Sequence, residues 1–246
     1  MPGARYRPAY GAALHAWRAQ WPQAGITHGV LVQPSFFGTD NAEMLAAIAM
    51  DPRHLRGVAV LDPQADDETL RRMHAHGVRA LRLNLRGVSD FSEYASDAWD
   101  VLFVLAHALG WHLEVYTDPG RTADIAAILA RTPIPVLFDH FAAPGVDAGT
   151  IDATFAAIEK LAATRPVWGK LSAPYRLNGG DPQAFAERWL AIVGPERLVW
   201  GSDWPWTAHE DAGVYGRLRK ALDRWVGLER VPRVLWDNAA RLYDFS

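Results

Sequence analysis

Short apolar, β-branched runs recur along this chain at intervals of roughly thirty residues, and no other feature restricts its fold so strongly. "HGVLVQ" ends at Gln33, "GVAVLD" at Asp62, "VRALRLN" at Asn84, and "HLEVYTD" carries Tyr116 and Asp118. Then follow "PVLFDH" to His140, "VWGKLS" to Ser172 and "RLVWGSD" to Asp203. Helix-like stretches lie between them, over 41–49, 67–76, 96–109, 122–130, 151–163 and 182–193, with a further helix expected over 12–19 before the first run. Runs that are apolar at nearly every residue suit strands buried on both faces. Their alternation with helices predicts a parallel sheet with right-handed crossovers, either a (β/α) barrel or a doubly wound sheet. No G-x-G-x-x-G turn follows the first run, which disfavours the dinucleotide-binding version of the second. No Pro/Ser-rich linker divides the 246 residues, half of them hydrophobic, so residues 1–246 read as one α/β domain.

Composition removes several classes of function. With 25 basic and 28 acidic residues and a net charge of -3, the chain has no electrostatic footprint for nucleic acid or an anionic membrane. The expected partners are small molecules, with homo-oligomer formation left open. The absence of cysteine excludes disulfides, thiolate metal sites and cysteine nucleophiles. No window approaches the roughly 20 apolar residues of a membrane span. The first acidic residue is Asp40, so the arginine-containing N-terminus has the charge of a transit peptide. It lacks the continuous apolar stretch of a secretory signal and reads as a helix entering the first strand; a cytoplasmic location is expected.

In barrels of this kind the loops after the strands form the pocket. The residues at those ends are Ser35 with Thr39 and Asp40, Asp62, Arg82 with Asn84 and Arg86, Tyr116 with Asp118, His140, Lys170 with Ser172 and Arg176, and Asp203. One polar residue at a strand end is ordinary capping of a loop. Histidine, aspartate, tyrosine and several arginines converging on one rim point to an active site. For the arginines the structural alternative is pairing with Glu114, Asp118 or Asp139 inside the barrel, and for Lys170 an ion pair with Glu114.

The segments "VQPSFFGTDN", "GVAVLDP", "VRALRLN", "VLFDHFAAP", "RLVWGSDWPW" and "NAARLY", in this order, resemble the amidohydrolase-2 family of TIM-barrel hydrolases, and within it the 2-pyrone-4,6-dicarboxylate lactonase branch. The resemblance runs from about Tyr6 to Phe245. It implies a hydrolase of aromatic-compound catabolism that opens a carboxylated cyclic ester. Asp203 would act as general base or acid for the attacking water, His140 would polarise the carbonyl, and Ser35, Arg82, Arg86, Tyr116 and Arg176, with Tyr6, would hold the carboxylates and ring. The chemistry is consistent with this: lactone hydrolysis needs a base beside a water, donors at the developing oxyanion, and fixed cations for a dianion, which arginine binds bidentately.

The chain also departs from the pattern. Members begin with a strand carrying Asp-x-His-x-His, whereas this one opens at "RYRPAY", matching the segment after it. The expectation is therefore a TIM-type barrel without its first strand, of about seven β/α units rather than eight, with the gap filled by the N-terminal segment or a neighbouring subunit unless the start lies further upstream. The resemblance to that branch, whose members work without a bound metal, implies none tightly held; without the leading histidines a divalent ion at His140 and Asp203, with His209 as third ligand, is the alternative. Phe37 and Trp206 stand where histidine is common in the branch and make the pocket more apolar. A metal-dependent decarboxylase or other amidohydrolase, and an impaired scaffold protein, are the competing readings. His74-x-His76 has metal-pair spacing but falls at a helix end on the opposite side of the barrel.

Overall fold

The computed structural model describes residues 10–246; Tyr6, a candidate pocket residue, lies outside them. Seven strands form one all-parallel sheet in sequential order: β1 Gly29–Val32, β2 Leu55–Ala59, β3 Val78–Asn84, β4 His112–Tyr116, β5 Val136–Phe138, β6 Val167–Ser172 and β7 Leu198–Gly201. The helices are α1 Leu14–Arg18, α2 Trp21–Ala24, α3 Ala42–Met50, α4 Asp67–Ala75, α5 Asp97–Ala108, α6 Thr122–Leu129, α7 Ala148–Ala162, α8 Pro182–Val193, α9 Tyr215–Val226 and α10 Asn238–Tyr243. Each crossover between successive strands from β1 to β7 carries one of α3 to α8, as the periodicity predicts. Asp66, Asp147 and Asp181 cap α4, α7 and α8 by accepting backbone N–H groups of their first turns.

Alternation along the strands separates two faces. Outward residues such as Leu55, Leu81, Leu113, Phe138 and Leu171 pack into the main core under the helices. Inward ones are Val30 and Val32, Val58, Ala80, Leu137, Trp168 and Val199, and all of them pack against α10 through Ala239, Leu242 or Tyr243. One short helix can meet strands from both ends of a sheet only if the sheet curls round it. The result is a half-barrel of the TIM type, with α10 closing its lower end.

The two ends of the sheet, β1 and β7, do not pair with each other. Both are partly exposed, whereas every residue of β2, β4, β5 and β6 is buried. The gap is bridged from the N-terminal side. Trp17 of α1 lies against Gly29 of β1 and stacks on Trp204, just beyond β7, at 6.5 Å and 19°. A Cβ at residue 29 would sit 2.4 Å from the Trp17 ring, so only glycine admits this close approach.

β1, β5 and β7 end one or two residues before the runs that predict them, at Val32, Phe138 and Gly201, and the largest difference is at β2. The second strand ends at Ala59 rather than Asp62, because the Asn41 side chain takes over as partner: its amide donates to Val60 O at 2.9 Å and its oxygen accepts from Val60 N at 3.3 Å. Among the described residues no helix is long and apolar enough to cross a membrane.

Candidate active site

β4 displays the layering of the bore. Its three inward residues, His112, Glu114 and Tyr116, stand at successive levels from the α10 end to the loop end. At the bottom the His112 ring meets Tyr243 edge-on at 5.0 Å, and neither of its ring nitrogens has a hydrogen-bond partner. In the middle, Lys170 Nζ lies 2.6 Å from Glu114 Oε1 and 2.8 Å from Asp139 Oδ1, while Arg82 Nη1 lies 3.0 Å from both Glu114 Oε1 and Asp139 Oδ2. Two cations and two carboxylates thus neutralise one another in the interior. At the top, the Tyr116 ring meets the His140 ring edge-on at 4.6 Å.

His140 starts the 3-10 turn His140–Ala142 after β5. Its Nδ1 is 2.8 Å from the Ser172 hydroxyl at the end of β6, and its Nε2 is 3.7 Å from Asp203 Oδ1. Asp203 follows β7, and its other oxygen, Oδ2, accepts from Tyr175 Oη and Arg176 Nε, both at 2.7 Å. Arg176 also donates to Thr207 O at 2.9 Å. On the far side Arg86 lies over the Tyr116 ring at 5.5 Å and pairs with Asp118 at 3.2 Å. Arg86, Tyr116, His140, Asp203, Tyr175 and Arg176, from five strand ends, therefore form one continuous group.

The backbone is strained where it presents these side chains. His140, Phe141, Ala142 and Ala143 have φ of 49°, 57°, 73° and 45°, and Ala173 and Asp203 have 48° and 51°. Such conformations crowd Cβ against the backbone and persist only where the surroundings enforce them. Here Trp189 Nε1 holds Phe141 O at 3.0 Å and Thr122 Oγ1 holds Ala142 O at 2.6 Å.

Burial pushes the His140 imidazole down to about 4, against the opposing pull of Asp203 and Asp139, so the ring is neutral at neutral pH. Burial and the neighbouring Asp203 charge push the pKa of the Tyr175 phenol well above its ordinary value, so it stays protonated. Burial alone would lower Arg176; the adjacent Asp203 overrides it and raises this guanidinium.

Other expected residues lie apart from this group. Ser35 opens the 3-10 turn after β1 and is exposed at the same rim. Arg82 occupies the level below, its Nη1 committed to Glu114 and Asp139, which is the structural pairing weighed from sequence, as is Lys170 with Glu114. His74 accepts from Trp111 Nε1 at 3.0 Å and His76 meets Arg72 O at 2.7 Å, so the two histidines serve separate structural contacts. Tyr175 was missed by sequence reasoning, although it adjoins Arg176 in "APYRLN". Tyr10 was also missed; its hydroxyl reaches Glu210 Oε1 at 3.0 Å, tying the N-terminal segment to the loop after β7.

A catalytic zinc takes three protein ligands and a water. No group of three or more His, Cys, Asp or Glu residues suited to a metal ion occurs among the described residues. The Asp203 carboxylate, 3.7 Å from His140 Nε2, already has a guanidinium 2.7 Å away, a neighbour that competes with a cation. This donor set does not fit a tightly bound metal.

A parallel half-barrel with a histidine, an aspartate and arginines at the loop ends of its strands defines a hydrolase of the TIM-barrel class. A family model described as Amidohydrolase matches residues 1–245, and the chain belongs to that family. It is 30% identical over 221 residues to a 2-pyrone-4,6-dicarboxylate hydrolase of Comamonas testosteroni, covering 83% of this chain and 70% of the relative. It is 27% identical over 241 residues to a 4-sulfomuconolactone hydrolase of Rhizobium radiobacter, covering 94% and 80%. A crystal structure from Acinetobacter baumannii, assigned as a 2-pyrone-4,6-dicarboxylic acid hydrolase and holding citric acid, superposes with a TM-score of 0.90 at 28% identity, over 100% of this chain and 94% of that one.

Proposed function

We propose that this chain hydrolyses an anionic lactone, with a pyrone dicarboxylate as the reference substrate. The observation that carries the reading is the asymmetric environment of Asp203. One carboxylate oxygen is held by Tyr175 and Arg176, while the other faces a neutral imidazole at 3.7 Å, too far for a direct hydrogen bond. The relatives' names add the substrate class: both act on ring esters bearing acidic groups.

In the proposed reaction Asp203 Oδ1 takes a proton from water as the water oxygen attacks the ring carbonyl carbon. The Ser172 hydroxyl donates to His140 Nδ1, which leaves the imidazole proton on Nε2. That N–H donates to the carbonyl oxygen as negative charge develops on it. Collapse of the tetrahedral intermediate breaks the ring C–O bond, and the leaving oxygen recovers the proton from Asp203. The product is a single open-chain molecule that carries both the new carboxylic acid and the released enol or alcohol. Arg86 and Arg176 bind the substrate's carboxylates, and Tyr116 and Ser35 border the ring. Arg82, whose Nη1 is already paired with Glu114 and Asp139, supports the site from the level below.

Incubating the purified protein with 2-pyrone-4,6-dicarboxylate and following loss of the pyrone absorbance tests this, with Asp203→Asn alongside. The variant is expected to be slower by about two to four orders of magnitude, the usual contribution of a positioned base. Equal rates would remove Asp203 from the mechanism, and no turnover by either protein would remove the lactone reading.

A further inference from the structure

Tyr175 touches the proposed base yet has no part in the reaction just described. Its hydroxyl and the Arg176 Nε converge on the same oxygen, Oδ2 of Asp203, each at 2.7 Å. One donor is enough to orient a carboxylate, but a substrate affects these two differently. Arg176 carries the positive charge for which an incoming carboxylate competes with Asp203, so engaging the substrate weakens its hold on Oδ2. The phenol is neutral and gains nothing by turning to an anion.

We propose that Tyr175 is a positioning residue: its hydroxyl keeps Oδ2 of Asp203 fixed, and so keeps Oδ1 aimed beside His140, while Arg176 turns to the substrate. The inference rests on the lactonase reading and extends it by separating orientation of the base from recognition of the anion. The local fold is suited to this role. Ala173, at φ 48°, turns the chain out of β6, and the 3-10 turn Pro174–Arg176 then points two consecutive side chains at the end of β7. The phenol ring is held between the His209 ring, at 5.1 Å, and the Arg176 guanidinium, at 5.5 Å, which restricts the direction of its hydroxyl.

Tyr175→Phe removes only the hydroxyl. A carboxylate free to rotate loses its aim, and a misplacement of about 1 Å costs on the order of a hundredfold in rate. The expected result is therefore a kcat lower by about tenfold to a hundredfold with KM within about twofold. By calorimetric titration, affinity for pyridine-2,4-dicarboxylate should not change, since this compound presents two carboxylates on a similar ring without an ester. Arg176→Lys should do the reverse, raising KM and weakening that titration. The deciding measurement is the double variant. If Tyr175 acts through Asp203, adding Tyr175→Phe to Asp203→Asn lowers the residual rate no further, whatever it does to stability. An equal loss in both backgrounds would overturn the proposal, as would a wild-type kcat in Tyr175→Phe or a KM that rises as in Arg176→Lys. Absence of turnover by the wild-type protein would overturn the lactonase reading and this one with it; wild-type turnover with any of the preceding three results would overturn this one alone.

Discussion

Replacing Lys170 by methionine removes one charge from the buried set of four while nearly preserving volume. The set as built is neutral: Lys170 and Arg82 against Glu114 and Asp139, whose side chains are 0% and 2% exposed. The variant leaves two interior carboxylates sharing one guanidinium, a net charge of -1. Breaking a buried pair in this way costs about 3–5 kcal/mol, because the charge left behind is neither hydrated nor matched. At about 2–4 °C per kcal/mol for a chain of this size, the unfolding temperature should fall by roughly 6–20 °C. Glu114→Gln added to Lys170→Met restores neutrality, and the amide oxygen can still accept from Tyr243 Oη, which is 3.3 Å from Glu114 Oε2. The double variant should therefore be more stable than Lys170→Met alone, with a coupling of about 1–3 kcal/mol. Burial and Asp139 already raise the Glu114 carboxyl above its usual range, and losing the lysine raises it further. A carboxyl with a raised folded-state pKa contributes stability below that value and loses it as pH rises. Lys170→Met should accordingly lie closer to wild type at pH 5 than at pH 8. Thermal and urea unfolding of wild type, Lys170→Met, Glu114→Gln and the double variant at both pH values is the assay. Strict additivity of the two single losses, or a pH-independent difference, would show that these side chains are not a mutually neutralising unit.

Two further outcomes follow from the same interior. Burial, aided by Lys170, lowers His112 to about 3, so the folded state resists protonating a ring that the unfolded chain protonates near pH 6.5. Stability should fall as pH drops below that value, by about 2 kcal/mol at pH 5 from this residue alone. His112→Phe, which leaves no unpaired ring nitrogen, should flatten that part of the pH profile, and an unchanged profile would exclude His112 as its source. Trp17→Ala removes the ring that joins the two ends of the sheet between Gly29 and Trp204. It should destabilise by about 3–5 kcal/mol and hasten amide exchange in β1 and β7 ahead of β3 to β5; uniform loss of protection would show that the sheet opens as one unit.

Much of the fold was legible in the residues. The runs ending at Asn84 and Ser172 match the ends of β3 and β6, and residues 182–193 match α8, because continuous β-branched runs and 3.6-residue periodicity report on backbone conformation locally. The ends of β2 and the roles of α10 and Trp17 were not legible. Asn41 replacing a strand partner at Val60, and a C-terminal helix filling the bore, are contacts between residues far apart in sequence.

The same division runs through the site. The sequence by itself determined which charged and aromatic side chains stand at the loop ends of the strands, since period-two alternation and the strand boundaries place them there. Only the tertiary structure decided their partners. The curl of the sheet brings Arg176 and Tyr175 onto Asp203, takes Arg82 down into a pair with Glu114 and Asp139, and sets His140 between Tyr116 and Ser172. Backbone periodicity is a short-range property that neighbouring residues encode. Which ends of two charged side chains meet across a curved sheet depends on its closure, and no local stretch of sequence carries that.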